Sequence, residues 1–296
     1  MEHAYQVLCD IVKTSPVQRG LSEHYEVKSD IAKLAKELTA ARGVALISGF
    51  PVRTERGPVG ETDGPSGIAW LARAFCELGV PVRVYTDRTC LRQIKAALDY
   101  GAPEALLVEL PHQLSGRWVE EELAAFGPSH MVSLERPGAA ADGVCYNARA
   151  CPLDDITANA EAFFEIAKQK GVVTVAVGDG GNELGMADCR PVVERYVDRG
   201  GIICARQKAH HTLVAGVSNW WGWGLAAALG MAAQKDLLPT AEQETRLLNG
   251  VVAADGVDGS SCRFEPTVDN IPLEYHLGIL ARLRAVMEDE LIRRRV

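Results

Sequence analysis

Short apolar runs alternate with amphipathic segments along most of the chain. Apolar runs of about four to eight residues, rich in β-branched side chains, are typical of strands, and apolar residues three and four positions apart are typical of helices. This pattern predicts strands at residues 44–50, 82–87, 105–110, 172–179 and 201–205. It predicts helices at residues 66–78, 91–98, 118–126 and 158–170.

The two ends of the chain are predicted to be helical. The spacing of Ile31, Leu34, Ala35 and Leu38 predicts that residues 1–42 form two helices packed outside the sheet. The C-terminal part, residues 219–296, is predicted to be mainly helical, with helices at 225–233, 241–252 and 273–291. The basic run at residues 293–295 is expected to cap the last helix, where the helix dipole favours positive charge.

Continuous β-branched runs between amphipathic helices indicate a parallel sheet covered on both faces. The predicted fold class is therefore α/β: a doubly wound, Rossmann-like, mainly parallel sheet with helices on both faces and a helical C-terminal third. No internal repeat or low-complexity linker divides the sequence. One domain over residues 1–296 is predicted, with helical additions at 1–42 and 219–296.

Composition and charge exclude several classes of protein. The chain has 296 residues, of which 47% are hydrophobic, and its formal net charge is −8. Nucleic-acid binding needs Lys and Arg gathered on one face, and no such cluster is present. No stretch resembles a secretory signal or reaches transmembrane length, so we expect a cytoplasmic protein without a membrane partner. Homo-oligomerisation stays open.

The eight cysteines form no CxxC pair and no zinc-finger spacing with histidine. In a chain of this length they are expected to be free, mostly buried thiols. Cys145 and Cys151 could imitate the cysteine pair of cofactor-independent racemases. However, neither has a neighbouring His or Lys in the sequence to lower its pKa, which disfavours a nucleophilic role.

Two acidic, glycine-rich loops carry the candidate chemistry: ETDGPSG at residues 61–67 and VGDGGNELG at residues 177–185. Both come after predicted strands, and ligands of open parallel sheets bind outside the carboxyl ends of the strands. The second loop differs from the dinucleotide pattern GxGxxG, and its carboxylates would repel a pyrophosphate. The chain also lacks the P-loop pattern GxxxxGK[ST].

Carboxylates in tight glycine turns suit a hard divalent cation. The candidate ligands are Glu61, Asp63, Asp179 and Glu183, with Mn²⁺ or Mg²⁺ as the expected ion and Ca²⁺ as a further option. Ser66 can cap the helix that follows the first loop, and Gly67 with the first helical N–H groups offers an anion site. Turn chemistry alone would explain either loop, but two such loops at strand ends favour a ligand site.

The chain resembles the D-glutamate cyclase C-terminal-domain family. The similar segments run in the family's order, at residues 47–52, 61–67, 143–150, 176–185, 215–225 and 267–276. The resemblance implies conversion of D-glutamate to 5-oxo-D-proline with loss of water. Archaeal-type relatives resemble divalent-metal-binding proteins with a suggested phosphatase role. The chain departs from the family pattern at Ala148 and Ala150, at His210 and at Trp221, all near the expected pocket.

Cyclising glutamate needs a proton carrier and an anchor for its α-carboxylate. His211 is the first candidate carrier because histidine titrates near neutrality, and Asp258 and Asp269 are weaker candidates. Arg149 can offer a bidentate fork to the carboxylate. Further hydrogen bonds to the substrate are expected from Asn147, Ser218 and Asn219.

Two alternatives to the cyclase interpretation stay open: a divalent-metal-dependent phosphatase and a non-enzymatic small-molecule-binding protein. All three take a small-molecule ligand, which is an amino acid or a phosphorylated metabolite. The fold class does not decide between them.

Overall fold

The computed structural model describes residues 2–293, so the predicted capping by Arg294 and Arg295 lies outside the described residues. Its strands are β1 (Val44–Ser48), β2 (Pro51–Thr54), β3 (Gly57–Gly60), β4 (Val82–Asp87), β5 (Leu106–Leu110), β6 (His130–Leu134), β7 (Val173–Gly178), β8 (His211–Val214), β9 (Thr267–Val268) and β10 (Ile271–Pro272). Its helices are α1 (Glu2–Lys13), α2 (Ile31–Thr39), α3 (Pro65–Glu77), α4 (Leu91–Gly101), α5 (Gly116–Phe126), α6 (Glu161–Gln169), α7 (Arg190–Tyr196), α8 (Gly200–Ile203), α9 (Ser218–Ala233), α10 (Ala241–Ala253) and α11 (Leu273–Arg293).

Six parallel strands form the central sheet in the order β5-β4-β1-β6-β7-β8. Counted along the sheet strands alone, this is the doubly wound order 3-2-1-4-5-6. The direction of strand addition reverses at β1, which lies between β4 and β6. This reversal is the switch point of the sheet. The carboxyl ends of β1 and β6 therefore border the crevice in which this architecture binds ligands.

The strands bury alternate side chains on the two faces of the sheet, as period-2 geometry requires. In β1, Val44 and Leu46 pack into one hydrophobic cluster, and Ala45 and Ile47 pack into the other. The first cluster includes residues of α1, α2, α3, α9 and α11, and the second includes residues of α5 and α6. The predicted parallel sheet with helices on both faces is confirmed.

Helix α9 is buried along nearly its whole length, from Ser218 to Met231. It packs against α3, α2 and α11. A Cβ at Gly222 would lie 2.3 Å from the Cα of Gly67, so two glycines permit the close approach of α9 and α3. This approach brings the first turns of both helices to the carboxyl edge of the sheet.

Most of the predicted elements are present, and the N-terminal and C-terminal helices are confirmed. The predicted strand at residues 201–205 is wrong, because Gly200–Ile203 forms the short helix α8 and the edge strand is β8. Periodicity does not separate a helix from a strand in so short an apolar run. The sequence pattern also missed the hairpin β2-β3, which lies between β1 and the ETDGPSG loop.

The eight cysteines are free thiols, as predicted, and five of them are buried. Cys151 is exposed, whereas Cys145 is buried. No helix within residues 2–293 combines the length and the apolar character that crossing a bilayer requires.

Candidate acidic site at the switch point

A cavity of about 800 Å³ opens at the carboxyl edge of the sheet. Seven acidic residues line it: Asp198 is exposed, and the other six each have less than a tenth of their surface exposed. The six buried residues, called the acidic cluster, are Glu61, Asp63, Glu135, Asp179, Glu183 and Asp269. Buried carboxylates are costly unless they are paired, hydrogen-bonded or bound to a cation, so this cluster is the leading candidate for the functional site.

Glu135 directly follows β6 and has a left-handed backbone, with φ of 47°. Its N–H donates to the Val177 carbonyl and its own carbonyl accepts from the Gly49 N–H, which ties the ends of β1, β6 and β7 together. The next residue, Arg136, is fully buried and donates to Asp87 at 2.8 Å. These contacts hold the Glu135 side chain at the switch point, where Ser218 donates to its carboxylate at 2.5 Å.

Asp63 lies where the N-termini of α3 and α9 meet. Its carboxylate accepts backbone N–H groups from Gly64 at 3.0 Å, Ser218 at 2.9 Å and Asn219 at 2.8 Å. Helix N-termini carry partial positive charge, which favours a carboxylate at this point. The two helices thereby fix the Asp63 side chain in the cavity wall.

Asp179 and Glu183, from the VGDGGNELG loop, differ in what their carboxylates do. Glu183 accepts the backbone N–H groups of Asp179, Gly180 and Gly181 at 2.9, 2.7 and 2.7 Å, so its carboxylate closes the loop on itself. In contrast, Oδ2 of Asp179 is buried with no hydrogen-bond partner within residues 2–293. Asp179 is therefore the carboxylate of this loop that has an oxygen available to a ligand.

Asp63, Glu135 and Asp179 together could hold a divalent cation. One oxygen from each residue lies within 4.8 Å of the others, and all three side chains are buried. Hard cations such as Mg²⁺, Mn²⁺ and Ca²⁺ take oxygen ligands of this kind. The unpartnered Oδ2 of Asp179 is consistent with such an ion. The donor set therefore fits a divalent cation.

The electrostatics of the cluster also favour positive charge. Burial, followed by repulsion from Asp269 and Asp63, raises the pKa of Glu61 well above its usual range. Burial and the charge of Asp179 raise the pKa of Glu135 in the same way. Burial outweighs the attraction of Arg19 and raises the pKa of Asp179. A bound cation would relieve this repulsion and favour the ionised carboxylates.

Arg19 supplies positive charge to the cluster from the segment between α1 and α2. Its guanidinium donates to Asp179 at 2.9 Å and forms an ion pair with Asp269. Among the ion pairs of residues 2–293, no other Lys, Arg or His contacts the six carboxylates. The six buried acidic groups therefore have one guanidinium as their ion-pair partner within the described residues.

The cavity brings together many of the predicted site residues. All four predicted metal ligands line it, although the carboxylate of Glu183 is engaged by its own loop. The predicted substrate-binding residues Asn147 and Arg149 line it, and so does Asp269. Asn147 accepts the N–H groups of Arg149 and Cys151 at 3.0 and 2.9 Å, so it shapes the loop that carries Arg149.

Four of the predicted substrate-binding residues are engaged in the protein interior instead. The Ser66 hydroxyl donates to Glu244 at 2.7 Å. The Gly67 N–H donates to the Asn219 side chain at 2.6 Å, so this N–H is not available to bind the expected anion. Ser218 is not among the cavity-lining residues, but its hydroxyl donates to the carboxylate of Glu135, which is.

The remaining predicted catalytic residues lie outside the cavity lining. His211 begins β8, beside Val175, and therefore lies toward the opposite edge of the sheet from Asp179. Burial lowers the pKa of His211. Asp258 accepts the N–H groups of Ser260 and Ser261 at 3.0 and 2.7 Å and shapes that loop. The alternative nucleophile Cys145 is disfavoured because burial raises its pKa to about 12.

Sequence reasoning missed Glu135 and Arg19. Glu135 directly follows a buried apolar run. Because ligands bind outside the carboxyl ends of parallel strands, the reasoning that identified Asp179 could also have identified Glu135. Arg19 lies in an irregular segment between two helices, and neither periodicity nor a motif marks it. Its role becomes visible only through its contacts with Asp179 and Asp269.

Comparison with known proteins assigns the family. Residues 8–284 match the sequence model of a protein family, which is described as D-glutamate cyclase-like, C-terminal. The chain belongs to this family. The family match includes every residue of the acidic cluster.

The human protein named D-glutamate cyclase, mitochondrial, is 33% identical to the chain over 286 residues. The match covers 92% of the chain and 45% of the human protein, so the chain spans less than half of that relative's length. The tRNA N6-threonylcarbamoyladenosine dehydratase of E. coli, solved with AMP, aligns over 69% of the chain and 92% of its own, with 12% identity and a TM-score of 0.30. A likeness at that TM-score says nothing about function.

Proposed function

We propose that the chain cyclises D-glutamate to 5-oxo-D-proline with loss of water, as a cyclase-like lyase. The observation that carries this proposal is a buried carboxylate cluster at the switch point of a chain that belongs to the D-glutamate cyclase-like C-terminal family. Ligands of doubly wound sheets bind at this position. The cavity of about 800 Å³ is large enough for an amino acid.

The proposed site includes a divalent cation, Mn²⁺ or Mg²⁺, held by Asp63, Glu135 and Asp179. Such a cation would act as a Lewis acid that polarises the γ-carboxyl group of the substrate, which is otherwise a poor electrophile. The raised pKa values of Glu135 and Asp179 support this part of the proposal, because their carboxylates repel one another unless positive charge is added.

The chain's own residues then have to move protons. Cyclisation forms the bond between the amine nitrogen and the carbon of the γ-carboxyl group, breaks a bond from that carbon to one of its oxygens, and moves two protons from the nitrogen to the departing oxygen. Glu61 and Asp269 line the cavity beside the three candidate ligands, and we assign this proton transfer to them. His211 is too near the other edge of the sheet for that role.

Water must be displaced for the lactam to form. The cluster itself is almost inaccessible: Glu61 has 8% and Asp269 has 6% of its surface exposed. Charges on side chains this buried interact more strongly than in bulk solvent. Arg149, on the cavity wall, is the proposed anchor for the α-carboxylate.

The proposal is tested by incubating the purified chain with D-glutamate, or with L-glutamate, in the presence of Mn²⁺ and following 5-oxoproline by NMR. We expect 5-oxo-D-proline from wild type, and a loss of at least about 100-fold in Asp179→Asn. Asp99→Asn removes an exposed carboxylate paired with Lys95 and is the matched control. Release of phosphate from p-nitrophenyl phosphate without any 5-oxoproline would refute the proposal in favour of a phosphatase.

A further inference from the structure

Two arginines that line the cavity contact the same residue, Ser260. Arg19 Nη2 donates to the Ser260 hydroxyl at 3.3 Å. Arg149 Nη2 donates to the Ser260 carbonyl at 3.1 Å. Arg19 comes from the segment between α1 and α2, and Arg149 from the loop after β6. Distant parts of the chain therefore bring two guanidinium groups to one point of the cavity wall.

The Ser260 loop is built firmly enough to position both groups. Asp258 accepts the backbone N–H groups of Ser260, Ser261 and Asn270 at 3.0, 2.7 and 2.7 Å. The Ser260 hydroxyl in turn donates to Asp269 at 3.3 Å. Asp258, which the sequence suggested as a catalytic residue, is thus a positioning residue for the loop that carries Ser260.

Both guanidinium groups keep donors for a ligand. Among the ion pairs recorded for residues 2–293, none involves Arg149. Arg19 is held by Asp179 and Asp269 through its two Nη atoms, and no hydrogen bond within the described chain uses its Nε. The acidic residues fix the orientation of Arg19, and Nε–H remains as a donor.

We propose that Arg19 and Arg149 together bind the two carboxylates of an acyclic dicarboxylic amino acid. This inference rests on the proposed function, since glutamate carries one carboxylate at each end. A guanidinium binds a carboxylate through charge-assisted hydrogen bonds. A ligand with a single carboxylate would leave either the Arg19 Nε–H or the Arg149 guanidinium without an acceptor from the ligand.

Such an arrangement selects substrates by their second carboxylate. A site built to hydrogen-bond a polar group discriminates strongly against an analogue that lacks it, because the site's own donors are then left unpaired. Hydrogen bonds to charged groups correspond to roughly 10- to 100-fold in affinity. The same range is expected between a dicarboxylate and a monocarboxylate of similar length.

The test measures binding by calorimetry in Mn²⁺ buffer, with glutarate and butyrate as probes. Glutarate has the two carboxylates of glutamate without its amine, so it binds without reacting. The variants are Arg149→Gln and Arg19→Lys. The lysine at position 19 keeps the positive charge but lacks the planar guanidinium group. The control is Arg53→Gln, since Arg53 is an arginine of the same cavity that donates to Asp155 and to the Pro152 carbonyl.

We expect wild type to bind glutarate at least about 10-fold more tightly than butyrate, and each of the two variants to lose about 10-fold or more for glutarate alone. Arg53→Gln is expected to change glutarate affinity less than about threefold. Equal affinities for the two probes overturn the inference, as does an Arg53→Gln loss equal to that of Arg149→Gln. Because Arg149 is exposed, its variant tests the proposal even if Arg19→Lys lowers the melting temperature.

The two proposals fail in different ways. Arginine-dependent binding of glutarate without any 5-oxoproline from D-glutamate would refute the cyclase proposal and leave the dicarboxylate site standing. Conversely, 5-oxoproline formation with an unchanged KM in both arginine variants would refute the dicarboxylate site alone.

Discussion

A carboxyl group buried behind the site, Glu244 of α10, is expected to make stability depend on pH. It has 2% of its surface exposed. It accepts hydrogen bonds from the Ser66 hydroxyl at 2.7 Å and from Trp70 Nε1 at 2.5 Å, both on α3. Burial raises its pKa from 4.5 to about 7, and the two hydrogen bonds only partly oppose this change. The folded protein therefore retains a proton that the unfolded chain loses near pH 4.5.

The sign and size of the effect follow from linkage. A folded-state pKa above the unfolded value contributes stability that is fully present below the unfolded pKa and is lost as pH rises through the folded pKa. At about 1.4 kcal/mol per pH unit, a pKa raised from 4.5 to about 7 corresponds to about 3 kcal/mol. This stability should be lost between pH 4.5 and about pH 7.

Glu244→Gln removes the titration and keeps acceptor and donor atoms of similar shape. We expect the free energy of unfolding of wild type to fall by about 3 kcal/mol relative to this variant between roughly pH 4 and pH 8. Urea denaturation at each pH measures it. Glu242→Gln, at an exposed position of the same helix paired with Arg246, is the control and should show no such change. A wild-type minus Glu244→Gln difference that stays constant across this range would refute the reasoning.

Three further outcomes are expected. Glu135→Gln should weaken Mn²⁺ binding by at least about 10-fold in calorimetry. The control Glu120→Gln, which removes an exposed carboxylate, should leave Mn²⁺ affinity unchanged. Equal Mn²⁺ affinities of wild type and Glu135→Gln would show that Glu135 is not a ligand. Gly222→Ala should destabilise the fold by about 1–3 kcal/mol in urea denaturation, because its Cβ would clash with the backbone of Gly67. The control Gly250→Ala has open space around its Cβ and should not destabilise the fold. A Gly222→Ala variant as stable as wild type would contradict the packing argument. His211→Ala should leave the rate of 5-oxoproline formation within about threefold of wild type because it begins β8 outside the cavity lining; a 100-fold loss would return His211 to the chemistry.

The fold could be predicted because its signals are local. Buried parallel strands have nearly continuous apolar sequences, and β1 and β7 are the clearest cases. The edge strand β8 was missed because it has only four residues and starts with polar His211 and Thr212. The apolar run at residues 201–205 looked more like a strand but forms a helical turn.

The candidate site could be predicted only in part, because its residues come from several strand ends and loops. Asp63 and Asp179 stand in glycine-rich loops that the sequence marks as special. Glu135 shares their position at a strand end but has an ordinary sequence context. The sequence could not separate Glu183 from Asp179 either, since the difference lies in three backbone N–H groups that close on Glu183.

Ser66 and Gly67 illustrate a second limit. A helix N-terminus after an acidic loop is a reasonable anion site. In the folded chain, α9 packs against this helix start and Asn219 accepts the Gly67 N–H. The competing partner lies 152 positions away in the sequence, so only the tertiary structure reveals it.

The most direct test of a cation-dependent cyclase site is to titrate Mn²⁺ into metal-stripped protein while D-glutamate conversion is followed by NMR. We expect no conversion without the cation, a rate that rises with bound Mn²⁺ to saturation, and loss of both bound Mn²⁺ and conversion in Asp179→Asn. Conversion at the same rate in the stripped protein, or folded wild type that binds Mn²⁺ and forms no 5-oxo-D-proline, would contradict the account.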